Sequence, residues 1–86
     1  MLVDVTGVEV LAPYRLRLSF EDGSEGEVDV AAIVPFEGVF APLRDLAVFA
    51  AVRVDAELGT VVWPNGADLD PEILHARALG LPDPAE

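Results

Sequence analysis

Between Tyr14 and Phe20 apolar and polar residues alternate without a break, and Asp22-Gly23 follows almost at once. No other feature restricts the fold of this chain as much. Successive side chains of a strand point to opposite faces, so Tyr14, Leu16, Leu18 and Phe20 share one side and Arg15, Arg17 and Ser19 the other. Asp-Gly is a strong hairpin signal. After it, Val28 and Val30 keep the apolar phase while Glu27 and Asp29 keep the polar one. Parity then sets the register. Val28 and Val30 can face the same way as Leu16 and Leu18 only if opposed residue numbers sum to an even value. That requires an odd loop, so a turn of about three or five residues around Asp22-Gly23 is expected in place of the two-residue type. The same register sets Arg15 and Arg17 on the face of Glu27 and Asp29, as cross-strand ion pairs of about 0.2–1 kcal/mol each.

The remaining elements follow from similar arguments. Val3 and Val5 have opposite parity to Val8 and Val10, with Gly7 between them. Both pairs can point inward only across an extra residue, which predicts a β-bulge or bend at Gly7. Residues 31–38 read as a connection interrupted by Pro35. Phe40, Leu43, Leu46 and Phe49 recur at steps of three, which predicts a short helix near 42–49, partly of the 3₁₀ type. Val52 to Asp55 and Thr60 to Trp63 read as a second hairpin across Ala56 to Gly59. A last helix over 71–79 has full punctuation: Asp70 as N-cap, Pro71 at the first position, Glu72 complementing the dipole, and Gly80 as left-handed cap. Leu69 and Leu74 stand at the positions of a hydrophobic staple, and Leu81 can fold back on the helix. The fold expected is α+β: one mainly antiparallel, twisted sheet of about five strands with both helices on one face.

At 86 residues the chain has room for one domain. Residues 1–81 are assigned to it and 82–86 to a fraying tail. Sixteen acidic residues oppose five basic ones, all arginine, for a net charge of −11. Such a surface repels nucleic-acid phosphates and anionic membranes, since binding there relies on lysine and arginine. A basic protein partner, drawn by long-range attraction, fits it better; self-association is an alternative. The chain has no cysteine, which excludes disulfides and thiolate chemistry. No apolar run is long enough to cross a membrane, and no secretory signal opens the chain. A bacterial, cytoplasmic protein is expected.

Residues suited to chemistry are few. The serines are Ser19 and Ser24 and the one imidazole is His75; Ser19 lies mid-strand and Ser24 in a hairpin turn, neither suited to a nucleophile. No catalytic residue and no cofactor is therefore expected. The rare residues gather in Trp63-Pro64-Asn65-Gly66-Ala67-Asp68-Leu69-Asp70-Pro71-Glu72. Asp68, Asp70 and His75 are the best metal-ligand candidates there. Against this, Asp70 is wanted as a cap, Asp68 can brace the Asn65-Gly66 turn, and His75 can pair with Glu72 one turn back. Trp63 has two readings: packing over the following helix with its N–H on a carbonyl, or anchoring a binding surface made with Asn65, Gly66 and Asp68. A small-ligand or metal module over Trp63–His75 is thus the alternative to a protein-interaction module. Gly7, Asp22, Gly23, Leu69, Asp70, Pro71, Leu74 and Gly80 are given structural roles.

The order Leu16-x-Leu18-x-Phe20-x-Asp22-Gly23, Val28-Asp29, Leu43-x-Asp45-x-x-x-Phe49 and Val52-x-Val54-Asp55, closed by Val62 to Glu72 and then Leu74, resembles the small bacterial family catalogued as domain of unknown function 2442. The resemblance runs over residues 3–79. It implies a small α+β domain that stands alone or precedes a helix-turn-helix domain. Stand-alone members are often encoded beside another small protein, in the manner of toxin–antitoxin pairs. It implies no catalytic residues. With the chain ending at Glu86, no helix-turn-helix is expected in it.

Overall fold

The structure is a computed structural model that describes residues 3–11 and 13–81; the tail at 82–86 lies outside them. Strand β1 (Val5–Leu11), β2 (Arg15–Phe20) and β3 (Glu25–Asp29) form an antiparallel sheet in that order. Ser19 opposes Glu25 and Arg15 opposes Asp29, an even-sum register. The turn has three residues, Glu21 to Gly23, because Phe20 N–H already bonds the Ser24 carbonyl at 2.9 Å. Gly23 takes φ +89°, a conformation glycine adopts at little steric cost. The Asp22 carboxylate accepts the Ser24 N–H at 2.9 Å, tightening the turn.

The bulge falls where parity requires it. Val5 opposes Phe20 but Gly7 opposes Ser19, so Thr6 is the extra residue. Beyond it Val8 faces Leu18 and Val10 faces Leu16, restoring the apolar phase. Leu16, Leu18 and Val28 are buried, whereas Arg15, Arg17, Glu25 and Glu27 stay about half exposed. Arg17 reaches Glu25 at 2.9 Å, and Arg15 lies 3.8 Å from Glu27. One face is core and the other is a solvated charge ladder.

Strands β4 (Arg53–Asp55) and β5 (Thr60–Val62) pair antiparallel as the second hairpin. The five strands are therefore two sheets instead of one. Val5 N–H donates to the Gly59 carbonyl at 2.9 Å, so the small hairpin rests against the start of β1. Gly59 is needed here twice over. It has φ +71°, and a Cβ on it would stand 2.5 Å from the Asp4 carboxylate.

Two connections differ from the sequence reading. Residues 31–38 are not wholly irregular: α1 (Val30–Ile33) forms one turn, because the Asp29 carboxylate caps the Ala31 N–H at 3.1 Å and Val30 is buried. The helix expected near 42–49 is two pieces, a 3₁₀ helix over Gly38–Arg44 and α2 over Leu46–Phe49. Asp45 separates them. Its N–H closes the 3₁₀ helix on the Pro42 carbonyl, and its carboxylate caps α2 through the Ala47 N–H at 2.9 Å.

Helix α3 (Pro71–Leu79) has the predicted ends. Asp70 accepts the Glu72 N–H at 2.8 Å. Gly80 is left-handed, and Leu81 N–H reaches the Ala76 carbonyl at 2.8 Å, the six-to-one bond of a Schellman cap. The Leu81 side chain, expected to fold back, is 49% exposed; the backbone bond satisfies the helix end without it. Leu69 and Leu74 both sit in the core. Helix α3 crosses β3 at Gly26, where a Cβ would come within 2.4 Å of the Ala78 carbonyl oxygen. Gly26 faces the core in register with Leu18, and its lack of a side chain lets the helix approach the strand backbone.

Candidate functional site

Trp63 leaves β5 into the rare-residue segment and is wholly buried. Its indole N–H donates to the Phe49 carbonyl at 2.9 Å, and its ring lies 5.9 Å from that of Phe49. Of the two readings of this residue the structure adopts burial with the N–H on a carbonyl. That carbonyl and the neighbouring ring belong to Phe49 of α2, however, and not to the helix that follows. With no exposed area, Trp63 presents nothing to a partner. An aromatic of this size burying its surface and satisfying its N–H gains more than one left half in water.

The turn after it is closed by its own backbone and by Asn65. Gly66 N–H donates to the Trp63 carbonyl and Trp63 N–H to the Ala67 carbonyl, both at 2.9 Å. The Asn65 amide oxygen accepts the Ala67 N–H at 3.2 Å, and its NH₂ donates to the Val39 carbonyl at 2.8 Å. Asn65, not Asp68, is thus the brace of the turn, because its position two residues before Ala67 gives the Asx geometry. It also ties the turn to the 3₁₀ helix. Asp68 bridges to Val62 through its backbone and leaves its side chain exposed.

His75 is placed differently from the surface pairing with Glu72. Its Nε2 lies 3.0 Å from the Asp22 carboxylate, its ring meets Phe20 edge-on at 4.9 Å, and its side chain is 17% exposed. The β2–β3 turn, far along the chain, supplies the partner that local spacing could not reveal. Ser24 lowers the Asp22 carboxyl below its usual range, first through its hydroxyl and then through its N–H, with His75 adding a smaller effect. The order Ser24–Asp22–His75 places the carboxylate between hydroxyl and imidazole. The imidazole therefore cannot take the hydroxyl proton, as a nucleophilic triad requires.

Asp68, Asp70 and His75 are consequently divided among a cleft rim, a helix cap and a hairpin turn. Among the described residues no group of three or more side chains is gathered in a way that could hold a metal ion. Asp68 and Asp70 instead share the edge of an open cleft of about 280 Å³ between α1, the 3₁₀ helix and α3. Ile33, Val34, Phe40 and Ile73 form its apolar lining together with the buried Leu69 and Leu74, and Arg77 also lines it. Sequence reasoning included Asp68, Asp70, Leu69 and Leu74 but not Ile33, Val34 or Arg77 as neighbours. The available signal was Ile73 beside Leu74, one apolar residue more than a narrow buried stripe requires.

A second, polar hollow lies on the charged face of the large sheet, lined by Glu9, Arg17, Ser19 and Glu25. Of these, Arg17 and Glu25 are ion-paired, and Arg17 also lies 3.9 Å from Glu27.

No match is found among curated proteins. Among solved structures, a "Putative DNA Binding Protein" from Nitrosomonas europaea ATCC 19718 superimposes with a TM-score of 0.75 at 36% sequence identity. The match covers 88% of this chain and 48% of that one, so the chain spans about half the length of that relative. The bulged sheet, the Asn-Gly turn and the capped last helix are all contained in residues 5–80, which match the model of the family described as protein of unknown function DUF2442, and the chain belongs to that family.

Proposed function

We propose that this domain is a non-catalytic acidic interaction module that binds a protein partner, in the manner of an antitoxin bound to its small neighbour. The observation that carries this reading is the cleft beside the turn. It offers an apolar lining under exposed carboxylates, on a chain with a net charge of −11. Apolar surface rimmed by charge on a small domain is the usual form of a protein-contact site. The volume argues in the same direction. About 280 Å³ lies at the bottom of the range of small-molecule pockets, roughly 300–1,000 Å³, and the cleft is open on one side.

The name of the Nitrosomonas relative points to DNA. The charge of this chain weighs against direct contact with phosphates: two of its arginines, Arg15 and Arg17, pair with neighbouring glutamates, and acidic residues outnumber basic ones by sixteen to five. Nucleic-acid binding is accordingly the competing outcome of the test. The chain is co-expressed with the product of the adjacent gene, and the mixture is analysed by light scattering at low and high salt. A stoichiometric complex that dissociates as salt rises is expected. Absence of a complex, or retention of a duplex oligonucleotide by the chain alone at moderate salt, overturns the proposal.

A further inference from the structure

Two carboxylates and one guanidinium line the cleft, and this balance limits what it can hold. We infer that the cleft between α1, the 3₁₀ helix and α3 takes an apolar side chain from a basic segment of the partner, with a lysine or arginine of that segment against Asp68 and Asp70. This inference rests on the interaction reading above and specifies the chemistry of its contact.

The space of about 280 Å³ lined by Ile33, Val34, Phe40 and Ile73 suits one or two aliphatic or aromatic side chains. Asp70 and Arg77 are seven residues apart on one helix, about 10 Å along its axis at 1.5 Å per residue. Asp70 therefore marks the start of α3, with Asp68 two residues before it, whereas the backbone of Arg77 belongs to the last turn. Asp70 commits one oxygen to the Glu72 N–H, whereas the Asp68 side chain is exposed. A cation entering above the floor beside Asp68 and Asp70 meets two carboxylates. An anion there meets the same two carboxylates and a protein of net charge −11. The amphipathic helix is the common carrier of such a pattern, with its apolar anchor and its basic residue three or four positions apart.

The test uses the whole chain and two blocked helical peptides with the same leucine face, one carrying lysine and the other glutamate. Methyl resonances of Ile33, Val34 and Ile73 are followed by NMR during titration. The lysine peptide is expected to shift them with an affinity that falls about tenfold between low salt and about 0.5 M salt, and the glutamate peptide to leave them in place. Ile73→Glu is expected to lower that affinity by at least about tenfold. Leu58→Glu, which adds the same charge at the exposed β4–β5 turn, is expected to retain it. Asp68→Lys, a substitution at an exposed side chain that does not depend on core packing, should also weaken the lysine peptide. Equal binding of both peptides, shifts confined to other surfaces, or equal loss in the Ile73→Glu and Leu58→Glu variants overturns the inference. If the chain binds its neighbouring gene product but neither Asp68→Lys nor Ile73→Glu weakens that complex, the interaction reading stands and the cleft assignment falls.

Discussion

Beside α1, two segments wall the cleft, and they are held in place by different physics. From Trp63 to Leu81 the chain is governed by local rules: an Asn-Gly turn, a carboxylate cap, a proline at the first helical position and a glycine at the last. From Val34 to Val52 it has a 3₁₀ helix, one short α-turn and no sheet partner. That second segment is fastened from outside. The indole N–H of Trp63 holds the Phe49 carbonyl, Asn65 holds that of Val39, and the hydroxyl of Tyr14 holds that of Arg44. Arg44 in turn donates through Nε to the Phe36 carbonyl at 2.9 Å. Local signals make one wall; long-range side-chain bonds to backbone make the other. Two of those fastenings, Trp63 and Asn65, come from the opposite wall itself.

The comparison can be broken most strongly at Trp63. Trp63→Ala removes the largest buried side chain and leaves the Phe49 carbonyl only the long bond from the Val52 N–H at 3.3 Å, so a loss of about 3–5 kcal/mol is expected in urea unfolding. Trp63→Phe separates the two contributions by keeping the ring packing and deleting the donor. A fall of about 1–3 kcal/mol with near-native structure would assign that part to the hydrogen bond.

Gly26→Ala probes how the locally built wall is seated. The added methyl meets the Ala78 backbone at 2.4 Å, so α3 must shift or β3 must bend. About 1–3 kcal/mol of destabilisation is expected from thermal or urea melting, with the β3 and α3 amides losing hydrogen-exchange protection together. Unchanged stability would mean that the close approach of helix and strand is dispensable.

A pair of milder substitutions sharpens the contrast. Asp70→Ala removes the cap of α3 and should cost about 1 kcal/mol, expressed as fraying of the first helical turn. Asn65→Ala should cost a similar or smaller amount, about 0.5–1.5 kcal/mol. Its effect should appear at a distance, as faster amide exchange in the 3₁₀ helix Gly38–Arg44. If exchange quickened only around residues 64–67, the bond to Val39 would not be a fastening of that helix.

The smallest effect expected is the response to acid at the His75 contact. The Ser24 hydroxyl and N–H, with a lesser effect from His75, hold the Asp22 carboxyl below its ordinary value. A depressed carboxyl stabilises the folded state fully above its unfolded value, about pH 4, and the gain is lost as pH falls through the lower folded value. Asp22→Asn should therefore flatten the acid limb of stability against pH, and it should loosen the turn at neutral pH. An acid limb identical to that of the natural chain would remove Asp22 from the account.

What could be read from the residues, and what could not, follows the same division. The bulge beside Gly7, the three-residue turn at Asp22-Gly23 and both ends of α3 depend on parity and on neighbours in sequence. The partner of His75 did not, since Asp22 lies 53 residues away; spacing on the helix offered only Glu72. Its residue type suits Asp68 to brace a turn that Asn65 in fact braces, because either type can do so and only the backbone geometry chooses. Gly26 drew no attention because a glycine in an alternating strand has no signature of its own; its role exists only once α3 lies across it.

Strand phases, hairpin register, helix caps and an acidic surface were all set by the order of the residues. Those properties come from short-range sterics, from period-two alternation and from a charge count. Tertiary structure alone decided that Trp63 would be interior, that the candidate ligands would part company, and that Asp68 and Asp70 would edge an apolar cleft. The reason is that burial and convergence are properties of elements packed together. Segments distant in the chain, Val30–Ile33, Gly38–Arg44 and Pro71–Leu79, had to meet before the cleft existed.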